Sequence, residues 1–138
     1  MTGDTADSST DVTQRRAFVV DDDALTRQLI AAHVEQAGFM PVEVDPQQPD
    51  IRGAASSAGP GDVMILDIIL GPDIDGFEVI RMLGQTGFAG RLILVSGYGT
   101  DYLQTLSSLA GALSLQVAGV IEKPVRPAEL QRCLGVEG

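Results

Sequence analysis

Several polar residues stand where apolar runs stop. Asp21, Asp22 and Asp23 follow "AFVV" (17–20), Asp67 closes "VMILD" (63–67), Ser96 closes "LILVS" (92–96), and Lys123 follows "GVIE" (119–122). A carboxylate in the middle of a run as apolar as "GDVMILDIIL" (61–70) costs several kcal/mol unless something pairs with it. Asp67 is therefore read as the last residue of a buried strand, delivered to the sheet's edge for a purpose. Three or four carboxylates, one hydroxyl and one ammonium then converge on a single rim. Crowded carboxylates raise one another's pKa unless a cation sits among them. Mg2+ suits such a cluster, because it takes hard oxygen ligands and is held by one or two carboxylates together with substrate phosphate. One carboxylate can then act as nucleophile towards a phosphoryl group, while Lys123 and the Ser96 hydroxyl balance charge on the transferred oxygens. The chemistry indicated is phosphoryl transfer onto an aspartate.

Such a rim needs strands that all end on the same side. Between the apolar runs lie segments of helical period. Leu25, Leu29, Ala32 and Gln36 advance by fours and threes, with Asp23 where an N-cap belongs and Gly38 as a stop. "MPVEV" (40–44) reads as an edge strand, since Pro41 lacks a ladder donor. Residues 46–60 hold three prolines and two glycines, so any helix there is short. A helix is predicted over 77–85, and "RLILV" (91–95) is the fourth strand. A longer helix follows, in which Leu103, Leu106, Leu109 and Leu113 recur at threes and fours. A fifth strand (116–122) and a short last helix (128–134) close the chain. This alternation predicts an α/β fold, a doubly wound five-stranded parallel sheet with helices on both faces. Burial on both faces also explains why the strands are almost wholly apolar.

Composition narrows the function classes. The chain has 138 residues, enough for one domain with a real core. Its formal net charge of −10 gives the wrong electrostatic sign for nucleic acid or an anionic membrane, so neither is expected as a partner. The single cysteine, Cys133, excludes an internal disulfide and fits a reduced, cytoplasmic setting. No apolar run approaches a membrane span, and the polar start carries no secretory signal. Residues 1–14 are expected to form a disordered polar tail, with the folded domain over 15–136.

The ordered set "FVVDDD" (18–23), "MILD" (64–67), "DG" (75–76), "LVSG" (94–97) and "EKP" (122–124) resembles the receiver domain of two-component response regulators, over roughly residues 16–135. The resemblance implies the flavodoxin-like strand order 2-1-3-4-5, with Asp67 as the phosphorylated residue. It implies Asp21 and Asp22 as the acidic pair, Asp22 the more direct Mg2+ ligand, with the Ile69 carbonyl as another ligand beside Asp67. Ser96 becomes the switch hydroxyl, Lys123 the charge partner, and the bond before Pro124 is expected to be cis. A histidine kinase or phosphotransfer protein is the implied donor. The implied reader is an output protein or missing effector domain on the face of the fourth helix, fifth strand and fifth helix, with homodimerisation left open. Catalysis is confined to the domain's own phosphorylation and dephosphorylation.

The sequence departs from the receiver pattern in places. Val120, three before the lysine, stands where receivers often carry Tyr or Phe, so the signal is expected to leave by loop and helix movement rather than by an aromatic rotamer. Ile69 and Tyr98 flank the path of the attacking water in receivers, and their bulk predicts slow loss of the phosphoryl group. The loop after Asp67 is a residue longer than the commonest form. The span from Ser96 to Lys123 is also extended, which is assigned to the fourth helix. "AGALSLQVAGVIEKPVRPAEL" (110–130) is similar to receivers that precede cyclic-di-GMP phosphodiesterase domains. Two alternatives stay open: a pseudo-receiver that signals by contact alone, and an aspartyl-nucleophile phosphohydrolase of the haloacid-dehalogenase type. Asp73 and Asp75 are read as turn residues and His33 as a helix residue without function.

Overall fold

A computed structural model describes residues 15–46, 50–68, 76–97 and 100–135. Five strands, β1 (Arg16–Val20), β2 (Met40–Val44), β3 (Val63–Asp67), β4 (Arg91–Ser96) and β5 (Gln116–Glu122), alternate with five helices. The helices are α1 (Ala24–Gln36), α2 (Asp50–Ser57), α3 (Gly76–Thr86), α4 (Thr100–Ala112) and α5 (Pro127–Leu134). The strands form one parallel sheet in the order β2-β1-β3-β4-β5, the expected doubly wound arrangement. The tail expected over 1–14 lies outside the described residues.

Each central strand feeds two cores. Phe18, Val20, Met64, Leu66, Leu92 and Leu94 face the side covered by α2, α3 and α4. Ala17, Val19, Val63, Ile65, Ile93 and Val95 face the side covered by α1 and α5. Period-two alternation of apolar side chains thus fills both layers, and neither face of the central strands meets water.

Helix α1 is present, but the residues whose spacing announces it are not the ones it buries. Ile30, Ala31 and Val34 pack inward, while Leu25 and Leu29 are 65% and 54% exposed and Ala32 and Gln36 lie on the outer side. Two stripes of this helix share the same period, and apolarity alone does not choose between them. Both ends of the helix are closed by local bonds. The Asp23 carboxylate caps the first turn by accepting from Thr26 N at 3.0 Å. The far end closes when Phe39 N donates to the Val34 carbonyl at 3.0 Å, with Gly38 in the left-handed region at φ +95°. Helix α4 ends by the same device, since Leu115 N donates to the Ala110 carbonyl at 2.9 Å across Ser114 at φ +67°. The left-handed residue stops α4 at Ala112, earlier than its leucine spacing suggests.

The extra length between β4 and β5 does not all lie in α4. Leu92 pairs with Val117 but Ile93 pairs with Gly119, so β5 carries one additional residue, Ala118, as a bulge. Gly119 is needed there, because a Cβ at that position would collide with Cys133 Sγ on α5.

Candidate functional site

The parallel sheet brings the strand ends to one rim. Asp21 directly follows β1, Asp67 and Ser96 are the last residues of β3 and β4, and Lys123 directly follows β5. Asp21, Asp67 and Ser96 are buried, at 1%, 4% and 0% exposure, whereas Asp22 is exposed. One carboxylate oxygen from each of Asp21, Asp22 and Asp67 lies within 4.8 Å of the other two.

One cation answers two of those carboxylates directly. Lys123 Nζ donates to Asp67 Oδ2 at 2.9 Å and to Asp21 Oδ2 at 3.2 Å. Burial alone would lower the lysine's pKa, but the hydrogen bond and charge of Asp67, joined by those of Asp21, outweigh it and leave the pKa raised. The lysine is also held at its backbone, where Lys123 N donates to the Ser96 carbonyl at 2.8 Å, and the Lys123–Pro124 peptide is cis. Gly97, exposed beside it, would bring a Cβ no closer than 3.9 Å to Lys123 Cδ.

The acidic turn is held from within. Asp23 N donates to Asp21 Oδ1 at 2.9 Å, so the two oxygens of Asp21 serve the turn and the lysine respectively. The Thr26 hydroxyl, which donates to Asp23 Oδ2, is the main reason the Asp23 carboxyl titrates below its ordinary value, and the cap bond from Thr26 N adds to it. Asp23 is thereby engaged as a helix cap. Arg27, which no motif singles out, also reaches this turn: its Nη1 donates to the Asp21 carbonyl at 2.7 Å.

The donor set suits a divalent cation. Three hard carboxylates cluster against one ammonium, and one of them, Asp22, faces solvent where an ion could arrive with water attached. Beside the rim, a cleft of about 450 Å³ runs between α1 and the turn after β5, with Thr26, Leu29 and His33 on one wall and Lys123 and Pro124 on the other. His33, read from sequence as without function, lines this cleft.

Two of the residues assigned by resemblance, Ile69 and Tyr98, lie outside the described residues, as do Asp73 and Asp75. Val120 is in β5, paired with Leu94 and packed against the core on the α3–α4 side. Gly76, the glycine of "DG", opens α3 in close contact with β3's end, where a Cβ would lie 3.0 Å from the Ile68 carbonyl oxygen.

A doubly wound parallel sheet with acids, a hydroxyl and a lysine at its carboxyl rim defines a class of signalling domain, and comparison with known proteins agrees. The family model for the response regulator receiver domain matches residues 17–134. The chain is 29% identical over 116 residues to the probable transcriptional regulatory protein SilR of Salmonella typhimurium, covering 83% of this chain and 47% of that one. It is 32% identical over 102 residues to a protein-glutamate methylesterase/protein-glutamine glutaminase of Myxococcus xanthus, covering 72% of this chain and 29% of that one. A response regulator structure from Colwellia psychrerythraea superposes with a TM-score of 0.72 at 33% identity, covering 89% of this chain and 94% of that one. The chain belongs to the response regulator receiver family of two-component signalling. It spans less than half the length of these two curated relatives. Among the described residues, no helix is long and apolar enough to cross a membrane.

Proposed function

We propose that this domain is a phosphorylatable switch in which Asp67 accepts a phosphoryl group and the modified rim changes what the domain binds. The observation that carries the reading is the shared cation: Lys123 spans Asp67 and Asp21, with Asp22 beside them and open to solvent. Asp21, Asp22 and Asp67 would hold Mg2+, with the Ile69 carbonyl added by resemblance, and the bound ion would supply charge neutralisation for the incoming phosphoryl oxygens.

A carboxylate oxygen of Asp67 attacks phosphorus in line, the bond from phosphorus to the donor breaks, and an acyl phosphate is left on the aspartate. With acetyl phosphate as donor, acetate departs and no net proton is exchanged. Lys123 is positioned to move from the Asp67 carboxylate to the new phosphoryl oxygens, and Ser96 to donate its hydroxyl to them. In the cell the donor is a histidine kinase or phosphotransfer protein, and the domain works in the cytoplasm. The face of α4, β5 and α5 is read by an output protein or an attached effector domain, or joins two copies. Added charge at the rim biases a two-state rearrangement of that face. By the resemblance, the bulk of Ile69 and Tyr98 is expected to slow loss of the phosphoryl group, so Ile69→Asn is expected to shorten its half-life.

Intact mass after incubation with acetyl phosphate, with and without Mg2+, on wild type and Asp67→Asn tests the reading. The expected result is a gain of one phosphoryl group that requires both the metal and Asp67. No gain in any condition, with Mg2+ also failing to bind, identifies a pseudo-receiver that signals by contact alone.

A further inference from the structure

We infer that Arg27 is a positioning residue of the acidic rim, holding the Asp21–Asp22 peptide in the orientation from which Asp22 meets a divalent cation. The inference rests on the proposed use of that rim.

Arg27 begins the inward face of α1. Residues 27, 30, 31 and 34 form the inward stripe of α1, at the spacing that puts side chains on one helix face, and the other three are Ile30, Ala31 and Val34, all buried. The arginine side chain is only 16% exposed. Its donors are spent on two elements at once: Nη1 on the Asp21 carbonyl at 2.7 Å, and Nε on Glu43 Oε1 at 3.1 Å. Glu43 lies in β2 opposite Val19 of β1, so the guanidinium ties the edge strand to the point where the neighbouring strand turns into the acidic loop. A leucine at this position would pack against the same surface. What it would not do is fix the peptide that links the two acids.

Among the described residues, that peptide is held from two sides. Asp21 Oδ1 and the Asp23 cap fix the turn from its helical side. The Asp21 carbonyl is the group whose rotation would swing the Asp22 amide and Cα, and Arg27 is the donor that pins it. Outer residues of this kind, which orient a metal ligand without touching the metal, characteristically change affinity by tenfold or more when removed. The fork matters as well as the charge, since the planar guanidinium sends Nε and Nη1 to two acceptors in fixed directions, whereas a lysine gathers its three donors on one nitrogen at the end of a flexible stem.

Position and charge predict opposite signs. Removing a positive charge near a cation site strengthens cation binding by Coulomb's law, whereas releasing the Asp21–Asp22 peptide weakens it. Calorimetric titration of the full chain with Mg2+, for wild type, Arg27→Met and Arg27→Lys, separates them, with melting temperatures in the absence of Mg2+ measured alongside. The expected result is roughly tenfold weaker Mg2+ binding for Arg27→Met and a smaller loss in the same direction for Arg27→Lys. Unchanged or tighter binding in the variants, while wild type binds, overturns the positioning role even if melting temperature falls. If Arg27→Met does not fold, the sign of the change in Arg27→Lys decides alone. A wild type that binds no Mg2+ overturns the functional reading, and this inference with it.

Discussion

Lys123 Nζ lies 2.9 Å from Asp67 Oδ2 and 3.2 Å from Asp21 Oδ2, so a single ammonium is shared by two buried carboxylates that arrive from different strands. One ammonium against three clustered carboxylates leaves the rim with an excess of negative charge that a divalent cation would balance.

Lys123→Met removes the shared cation and leaves Asp21 and Asp67 facing each other. Breaking a fully buried pair costs about 3–5 kcal/mol; the lysine side chain keeps 28% exposure, which brings the expected loss to about 2–3 kcal/mol. Thermal melts without Mg2+ measure it, and adding Mg2+ is expected to restore more stability to the variant than to wild type. The pH dependence has a definite sign. The pKa of Lys123 is raised, so its contribution is complete below the ordinary value of 10.5 and disappears as pH climbs through the folded value.

Asp62 anchors the opposite end of the sheet. Its carboxylate accepts from Arg16 N, Gly59 N and Arg16 Nη2, each at 2.9 Å. Burial alone would raise its pKa, but these bonds and the Arg16 charge prevail and lower it. Asp62→Asn is expected to cost about 1–3 kcal/mol near neutral pH. Because the folded pKa is depressed, the contribution is present above the ordinary 3.8 and is lost as pH falls through the folded value. Denaturant titrations of both proteins should therefore converge at low pH; a gap that persists there would contradict the assignment.

Two glycines should respond oppositely to alanine. A Cβ at Gly90 would lie 2.5 Å from the Asp62 carbonyl oxygen and 3.1 Å from its carbon, so backbone must move. Gly90→Ala is expected to destabilise by about 1–3 kcal/mol or more. Gly53 lies within α2 with nothing inside 4 Å of its Cβ position. There alanine gains helix propensity, and Gly53→Ala is expected to stabilise by about 0.5–1 kcal/mol. Melting temperatures of the two variants should move to opposite sides of wild type.

Helix α1 offers a test of which stripe carries the packing. Ile30 is 3% exposed, and Ile30→Ala is expected to cost about 2–5 kcal/mol. Leu25 is 65% exposed, and Leu25→Gln is expected to stay within about 0.5 kcal/mol of wild type. Equal losses at the two positions in a chemical-denaturation series would reverse the inner and outer faces.

Strand periodicity, the alternation of strands with helices, and the polar residues that end each apolar run are properties of neighbours along the chain. They are therefore legible in the amino-acid sequence by itself: Asp67 can be read as a strand end because a charge inside "VMILD" has no other stable place. The resemblance joins Asp21, Asp22, Ser96 and Lys123 to it, and the parallel order brings those strand ends to one rim. Tertiary structure decides the rest. Leu25 and Leu29 look like a core stripe, but the buried stripe is the one that Arg27 begins, and that choice depends on the Asp21 carbonyl and on Glu43 in another strand. The bulge at Ala118 likewise follows from how β5 must meet β4 and α5 together. Local sequence carries the period of an element and the chemistry at its end. Which side of the element faces inward, and which distant carbonyl an arginine finds, is set by contacts between segments that periodicity does not encode.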